Sequence, residues 1–185
     1  MKNNKTIICV TGLPGSGKSI FCKTGETIGY KIIVMGDQIR NQAKKRGLRN
    51  NAENLSKLMI ELREKEGKDI IAKLCLNEIQ LTKNNNIIID GIRNKEEIEL
   101  FKKIGDISII LIKSTTEQRI KFLQKRARSD APINYESFND RDKKELKIGL
   151  NSIINSADIT VSNINLTEKE FINKSKNILL KLIRE

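Results

Sequence analysis

Eight residues constrain this chain more than any others: Gly12-Leu13-Pro14-Gly15-Ser16-Gly17-Lys18-Ser19 completes the pattern G-x-x-x-x-G-K-[ST]. The run before them, Thr6-Ile7-Ile8-Cys9-Val10, is apolar and β-branched and predicts a buried strand. The run after them, residues 18–27, carries no proline and predicts a helix. In that setting the glycines let the backbone curl until successive N–H groups point inward at phosphate oxygens. The helix N-terminus adds about half a positive charge to the same spot. Gly12, Leu13, Pro14, Gly15, Ser16, Gly17, Lys18 and Ser19 are therefore expected to hold a nucleotide's phosphates. Lys18 would reach the β- and γ-phosphates and the Ser19 hydroxyl would ligate Mg²⁺. ATP is the expected phosphoryl donor and Mg²⁺ the expected cofactor.

The remaining chain alternates between the two periods. A second strand over 31–35 ends at Gly36-Asp37, and the helix after it carries Arg40 and closes near Gly47. Helices are predicted over 50–66, capped by Asn50 or Asn51, and over 69–82, with Ile71, Leu74, Cys75 and Ile79 on one face. Ile87-Ile88-Ile89-Asp90 reads as a central parallel strand ending in a carboxylate. A helix with Ile98, Phe101 and Ile104 and a strand over 107–112 follow. Ser114 to Glu117 has capping-box spacing and starts a helix bearing Ile120, Leu123 and Ala127. Beyond an irregular polar stretch, a charged helix runs from about Tyr135 into the 140s, then a strand over 159–162, then a C-terminal helix with Phe171, Ile178, Leu179 and Leu182. The pattern predicts one α/β domain over 1–185, a three-layer sandwich around a five-stranded parallel sheet. Within it, 36–83 would form the acceptor-binding helical region and 126–142 a short arginine-bearing lid.

Composition narrows the chemistry. The chain has no histidine, which excludes Ser-His-Asp catalysis, histidine bases and histidine-bearing zinc sites. Its three cysteines, Cys9, Cys22 and Cys75, show no C-x-x-C spacing and read as free, hydrophobic thiols of a reducing cytosol. The net charge of +12 invites a nucleic-acid partner. Against it, the lysines are scattered along helix faces and aromatics make up 4% with no Trp, so nucleic acid ranks behind small-molecule nucleotides. No signal-like segment or long apolar run is present, so a cytoplasmic location and no membrane contact are expected.

Around the loop, Asp90 would emerge beside the phosphates, because parallel strands share one C-terminal edge, and would help place Mg²⁺. Gly36-Asp37 with Arg40, and Asp90-Gly91 with Arg93, put two arginines at strand ends. There they could grip an acceptor phosphate by paired N–H···O bonds. Arg126, Arg128 and Arg141 flank the irregular stretch; the first two would neutralise charge on the migrating phosphoryl group, and Arg141 reads equally as a solvated residue.

With these residues quoted, the chain resembles the nucleoside monophosphate kinases of the P-loop superfamily. The similarity is strongest to the adenylate-kinase-related, dephospho-CoA-kinase-like proteins of archaea. It rests on the loop, on Met35-Gly36-Asp37, on the Leu55 to Glu64 run, on Asp90-Gly91-Ile92-Arg93, and on Arg128-Ser129-Asp130 with Asn139-Asp140-Arg141-Asp142. The resemblance implies phosphoryl transfer from Mg·ATP to a nucleoside monophosphate, with Lys18, Arg93, Arg126 and Arg128 catalytic and Gly36, Asp37, Arg40, Asp90, Gly91 and Arg93 around the acceptor. The chain departs from adenylate kinases in continuing Gly17-Lys18-Ser19-Ile20, in its shortened lid, and in lacking an aromatic where a base would stack. Two other readings stand beside it. One is an alcohol kinase of dephospho-CoA type with Asp37 as base; the other is an NTP-driven factor acting on RNA or ribosomal particles.

Overall fold

The computed structural model describes residues 5–126 and 135–183. Five strands, β1 (Lys5–Thr11), β2 (Lys31–Val34), β3 (Asn86–Asp90), β4 (Gly105–Lys113) and β5 (Ile159–Ser162), form one sheet in the order β2-β3-β1-β4-β5. All four pairings are parallel. Strands of this kind are buried on both faces, which is why they read as nearly continuous isoleucine and valine.

The period of two then sorts the core. Ile7 and Cys9 point to one face with Ile33, Ile87 and Ile89; Ile8 and Val10 point to the other with Ile88 and Ile110. Helices α2 (Met35–Lys45), α3 (Ala52–Glu66), α4 (Ile70–Leu81) and α5 (Lys95–Lys102) cover the first face, contributing Leu58, Leu62, Ile71, Cys75 and Phe101. Helices α1 (Lys18–Thr27) and α9 (Glu168–Leu182) cover the second, through Phe21, Phe171 and Leu179. The result is the expected three-layer sandwich. β1 lies in the middle; the chain leaves it toward β2 on one side and leaves its neighbour β3 toward β4 on the other, so the C-terminal ends of β1 and β3 open at a topological switch point.

Three local expectations are corrected. The second strand stops at Val34, and Met35, Gly36 and Asp37 form the first turn of α2. Met35 is apolar because it is buried beneath that turn, not because it extends the strand. At the start of α6 (Thr116–Arg126) the cap is Thr115, whose Oγ1 accepts from the Gln118 N–H at 3.3 Å. Ser114 instead donates to the Asn163 carbonyl at 3.0 Å and ties the end of β4 to the end of β5. Ala127 lies outside the described residues. Finally, α7 (Tyr135–Glu145) runs through a turn (Leu146–Leu150) kinked at Gly149 into α8 (Asn151–Ile154), which the periodicity did not announce. Asn51, one of the two candidate caps of α3, holds the Asn54 N–H at 2.9 Å. The three thiols are buried and free, and burial raises the pKa of each, Cys75 to about 12. No described helix is long and apolar enough to cross a membrane.

Candidate functional site

The phosphate loop is built from its glycines outward. Gly12, Gly15 and Gly17 have φ of 139°, 81° and 107°, where a side chain is strained. There is also no room for one: a Cβ on Gly12 would run into the Ile112 carbonyl oxygen, and one on Gly15 would stand 2.5 Å from that of Arg119. Two of the loop's carbonyls are held by side chains from elsewhere. Asn163, at the end of β5, donates to the Ser16 carbonyl at 3.0 Å, and Arg119, on α6, donates through Nε to that of Pro14 at 2.8 Å. The N-cap of α1 is Gly17, which offers no side chain to the first N–H groups of the helix.

Lys18 folds back over this cradle, its Nζ donating to the Gly12 carbonyl at 2.6 Å and the Leu13 carbonyl at 3.1 Å. Burial lowers its pKa to about 8; Asp90 and Glu145 oppose that shift and Arg93 adds to it. An ammonium buried among neutral carbonyls is a site for an added anion. The Ser16 hydroxyl is likewise buried without a hydrogen-bond partner.

Asp90 lies beside the loop because β3 pairs with β1 in the register Val10↔Asp90, and the Gly91 N–H donates to the Val10 carbonyl at 3.0 Å. Ser19, exposed in the first turn of α1, and Asp90 line one cleft of about 870 Å³ together with Lys18, Arg40 and Arg93. Among the described residues no cluster of three or more Asp, Glu, Cys or His could hold a metal alone. One hydroxyl and one carboxylate beside a phosphate cradle is the donor set that suits Mg²⁺, which keeps its waters and relies on substrate phosphates. The residues present therefore fit the ion.

Arg40 is half-buried and pairs with Asp37, Nη2 to Oδ1 at 3.0 Å, within the first turns of α2. Asp37 itself is more than half exposed. Arg93 is held on three sides. Its N–H donates to Glu97 Oε2 at 2.8 Å, its Nη1 to the Gly91 carbonyl at 2.9 Å, and its Nε and Nη2 to the two oxygens of Glu145 at 2.5 and 3.1 Å. Although burial alone would lower the Arg93 pKa, Glu145 turns the net shift upward. For Glu145 burial works to raise the pKa, but Arg93 and then Lys18 reverse it, leaving a carboxylate below the usual range.

The strand-end residues Gly36, Arg40, Asp90, Gly91 and Arg93 thus share the cleft with the loop, as does Arg141. Arg128 and the side chain of Arg126 lie outside the described residues. The sequence reading gave no role to Arg119, Asn163 or Glu145, and Asp142 entered it only within the Asn139 to Asp142 run. For Arg119 a signal existed: it sits four residues before Leu123, on the buried face of α6.

Residues 11–139 match a family model described as AAA domain. The chain is 33% identical over 179 residues to a UPF0200 protein of Hyperthermus butylicus, with 97% of this chain and 96% of that one covered. To a UPF0200 protein of Thermococcus onnurineus it is 35% identical over 184 residues, covering 97% and 99%. A UPF0200/UPF0201 protein of Archaeoglobus fulgidus is 40% identical over 182 residues, which make up 96% of this chain but only 56% of that longer relative. Among solved structures, TT1252 from Thermus thermophilus superposes with a TM-score of 0.67 at 14% identity, over 98% and 100% of the two chains. Shikimate kinase from Acinetobacter baumannii, in complex with shikimate, does so at 0.59 and 16%, over 98% and 96%. At such identities the likeness is one of fold.

Proposed function

Because the chain belongs to the UPF0200 family, within the P-loop nucleoside-monophosphate-kinase-like proteins, we propose that it is an ATP-dependent small-molecule kinase. In this reaction the γ-phosphoryl of Mg·ATP passes to the phosphate of a nucleoside monophosphate, giving ADP and a nucleoside diphosphate. The observation that supports this best is the joint cleft: about 870 Å³, at the upper end of small-molecule sites, with the phosphate loop on one wall and Arg40 and Arg93 on another. Such a volume has room for donor and acceptor side by side.

In this reading the loop amides and Lys18 hold the donor's phosphates, and the bound anion raises the lowered pKa of Lys18 again. Ser19 and Asp90 hold Mg²⁺, which when bound shields the phosphate charges. Arg40 and Arg93 orient the acceptor phosphate for in-line attack, with Arg93 also facing the γ-phosphoryl group that is transferred. A phosphate oxygen is already a nucleophile at neutral pH, so the reaction needs no general base and a chain without histidine can perform it. An alcohol acceptor would need one, and Asp37, engaged by Arg40, is the candidate.

The test is a screen of AMP, dAMP, CMP, UMP, GMP and dephospho-CoA with Mg·ATP, scored by product mass. Transfer to one or more monophosphates, abolished by Lys18→Ala, is expected. Transfer to dephospho-CoA alone, lost in Asp37→Asn, would replace the phosphate acceptor with an alcohol. Hydrolysis of ATP without transfer to any acceptor would refute the kinase reading.

A further inference from the structure

Helix α7 sends two carboxylates to two arginines that belong to different parts of the site. Asp142 and Glu145 lie three residues apart and so share a face of that helix. Asp142 accepts from both terminal nitrogens of Arg119, Nη1 to Oδ2 at 2.8 Å and Nη2 to Oδ1 at 2.5 Å. The remaining Nε of Arg119 reaches the Pro14 carbonyl of the phosphate loop, and the Phe138 ring lies 4.7 Å from the guanidinium carbon. Glu145, one turn on, takes the Nε and Nη2 edge of Arg93.

The count of N–H groups on Arg93 gives this arrangement its meaning. A guanidinium carries five. Among the described residues three have acceptors: two on Glu145 and one on the Gly91 carbonyl. One N–H on each of Nη1 and Nη2 is left over, a fork available to two oxygens of a phosphate. Arg93, Glu145, Lys18, Gly91 and Gly12 also line one small recess of about 20 Å³, so Arg93 and its carboxylate stand at the Lys18 end of the loop.

The backbone of Arg93 is fixed as well. Its N–H is held by Glu97, and its carbonyl lies against Gly149 at the kink after α7, where φ is 131° and a Cβ would stand 3.0 Å from that oxygen. The chain kinks there, because Gly149 lies outside the helical region. The kinked segment follows Glu145 directly, so α7 reaches Arg93 with a side chain and the segment after it lies against the Arg93 carbonyl.

We propose that Asp142 and Glu145 are positioning residues of the transfer site. Asp142 sets the phosphate loop through Arg119, and Glu145 turns the open N–H pair of Arg93 toward the seat of the γ-phosphoryl group. This rests on the kinase reading above, and neither carboxylate is asked to touch a substrate. One helix thereby fixes the spacing between the loop and the arginine that faces it.

The opposite role for Glu145 is that of an anion occupying the phosphate's place, and the two differ in sign. Calorimetry on the full chain would compare MgADP with the magnesium complex of a β,γ-imido ATP analogue. Glu145→Gln should weaken the imido analogue about tenfold, the scale of losing a charge-assisted fork, and leave MgADP within about twofold. In an Arg93→Ala background the same change should add nothing, because the residue acts only through that arginine. Asp142→Asn should weaken both nucleotides alike, since it slackens the loop itself. In ¹⁵N spectra the Arg93 Nε–H should lose its protection from exchange in Glu145→Gln while that of Arg119 keeps it, a signature that general loss of packing would not give. Should Glu145→Gln fail to fold, Arg93→Lys keeps the charge but has no fork, and should show the same loss of preference for the imido analogue. Unchanged or tighter analogue binding in Glu145→Gln overturns the proposal and leaves the kinase reading standing. A wild-type chain that binds neither nucleotide overturns both.

Discussion

Glu97 is the place where stability and the site meet, and changing it gives a number that can fail. Its carboxylate is fully buried and accepts from Arg63 Nη2 at 2.6 Å, from the Arg93 N–H at 2.8 Å and from the Asn94 N–H at 3.3 Å. Arg63 is 8% exposed, and its Nε and Nη1 have no hydrogen-bond partner, so nearly all compensation for that buried cation comes from Glu97. Glu97→Gln keeps the shape and a carbonyl oxygen for the two backbone donors but removes the charge. An uncompensated buried charge costs about 3–5 kcal/mol. For a chain of this length that corresponds to a fall in Tm of about 10 °C. Arg63→Met should cost a similar amount, because it strands the carboxylate. The double variant Arg63→Met/Glu97→Gln leaves no buried charge, a methionine in place of the arginine stem and the capping bonds largely intact, so it should be less destabilised than either single one. Urea unfolding of the four proteins closes the cycle, with a coupling energy of about 2 kcal/mol or more expected. If the double variant instead lost the sum of the two singles, the pair would not be a coupled buried ion pair and the account of how α3 anchors the Arg93 turn would be wrong.

Three further outcomes follow from the site. Lys18, with its pKa lowered from 10.5 to about 8, binds its proton less tightly in the folded than in the unfolded chain. Its destabilising contribution is therefore complete below pH 8 and relieved between about pH 8 and 10.5. Lys18→Met should accordingly raise the nucleotide-free Tm near neutral pH while abolishing MgADP binding. In the wild type, binding at pH 8–9 should take up a proton, detected by calorimetry in buffers of different ionisation enthalpy. Gly15→Ala, with φ of 81° and a Cβ directed at the Arg119 carbonyl 2.5 Å away, should lower stability by about 2 kcal/mol or more and weaken MgADP binding; unchanged affinity would mean that the loop closes differently. Asn163→Ala removes the buried donor on the Ser16 carbonyl and should cost about 1–3 kcal/mol in urea unfolding; a variant as stable as the wild type would show that the carbonyl needs no partner.

What could be read from the sequence was whatever is local or periodic. The loop pattern, the isoleucine runs of β1 and β3, and the carboxylate ending β3 each declare themselves within a few residues. One edge for all strand ends then brings Asp90 beside the loop without further information. The end of β2 was misplaced because Met35 is as apolar as a strand residue but is buried by the helix it begins. Arg119 and Asn163 read as ordinary polar residues, because their partners, Pro14 and Ser16, are more than a hundred residues away along the chain.

The same reasoning explains why the charge of the chain is a poor guide to its site. The +12 excess is carried largely by lysines on helix surfaces, whereas Arg40, Arg93 and Arg119 each meet a carboxylate: Asp37, Glu145 and Asp142. A guanidinium left bare in a partly buried cleft would suffer desolvation and keep its rotamer freedom. Pairing one edge with a carboxylate removes most of both costs and leaves other N–H groups to face an incoming anion. Lys18 has no edge to share; only loop carbonyls meet its ammonium, and its lowered pKa records the difference. The buried cation whose charge is least compensated is thus the one that the phosphate-loop pattern assigns to the nucleotide.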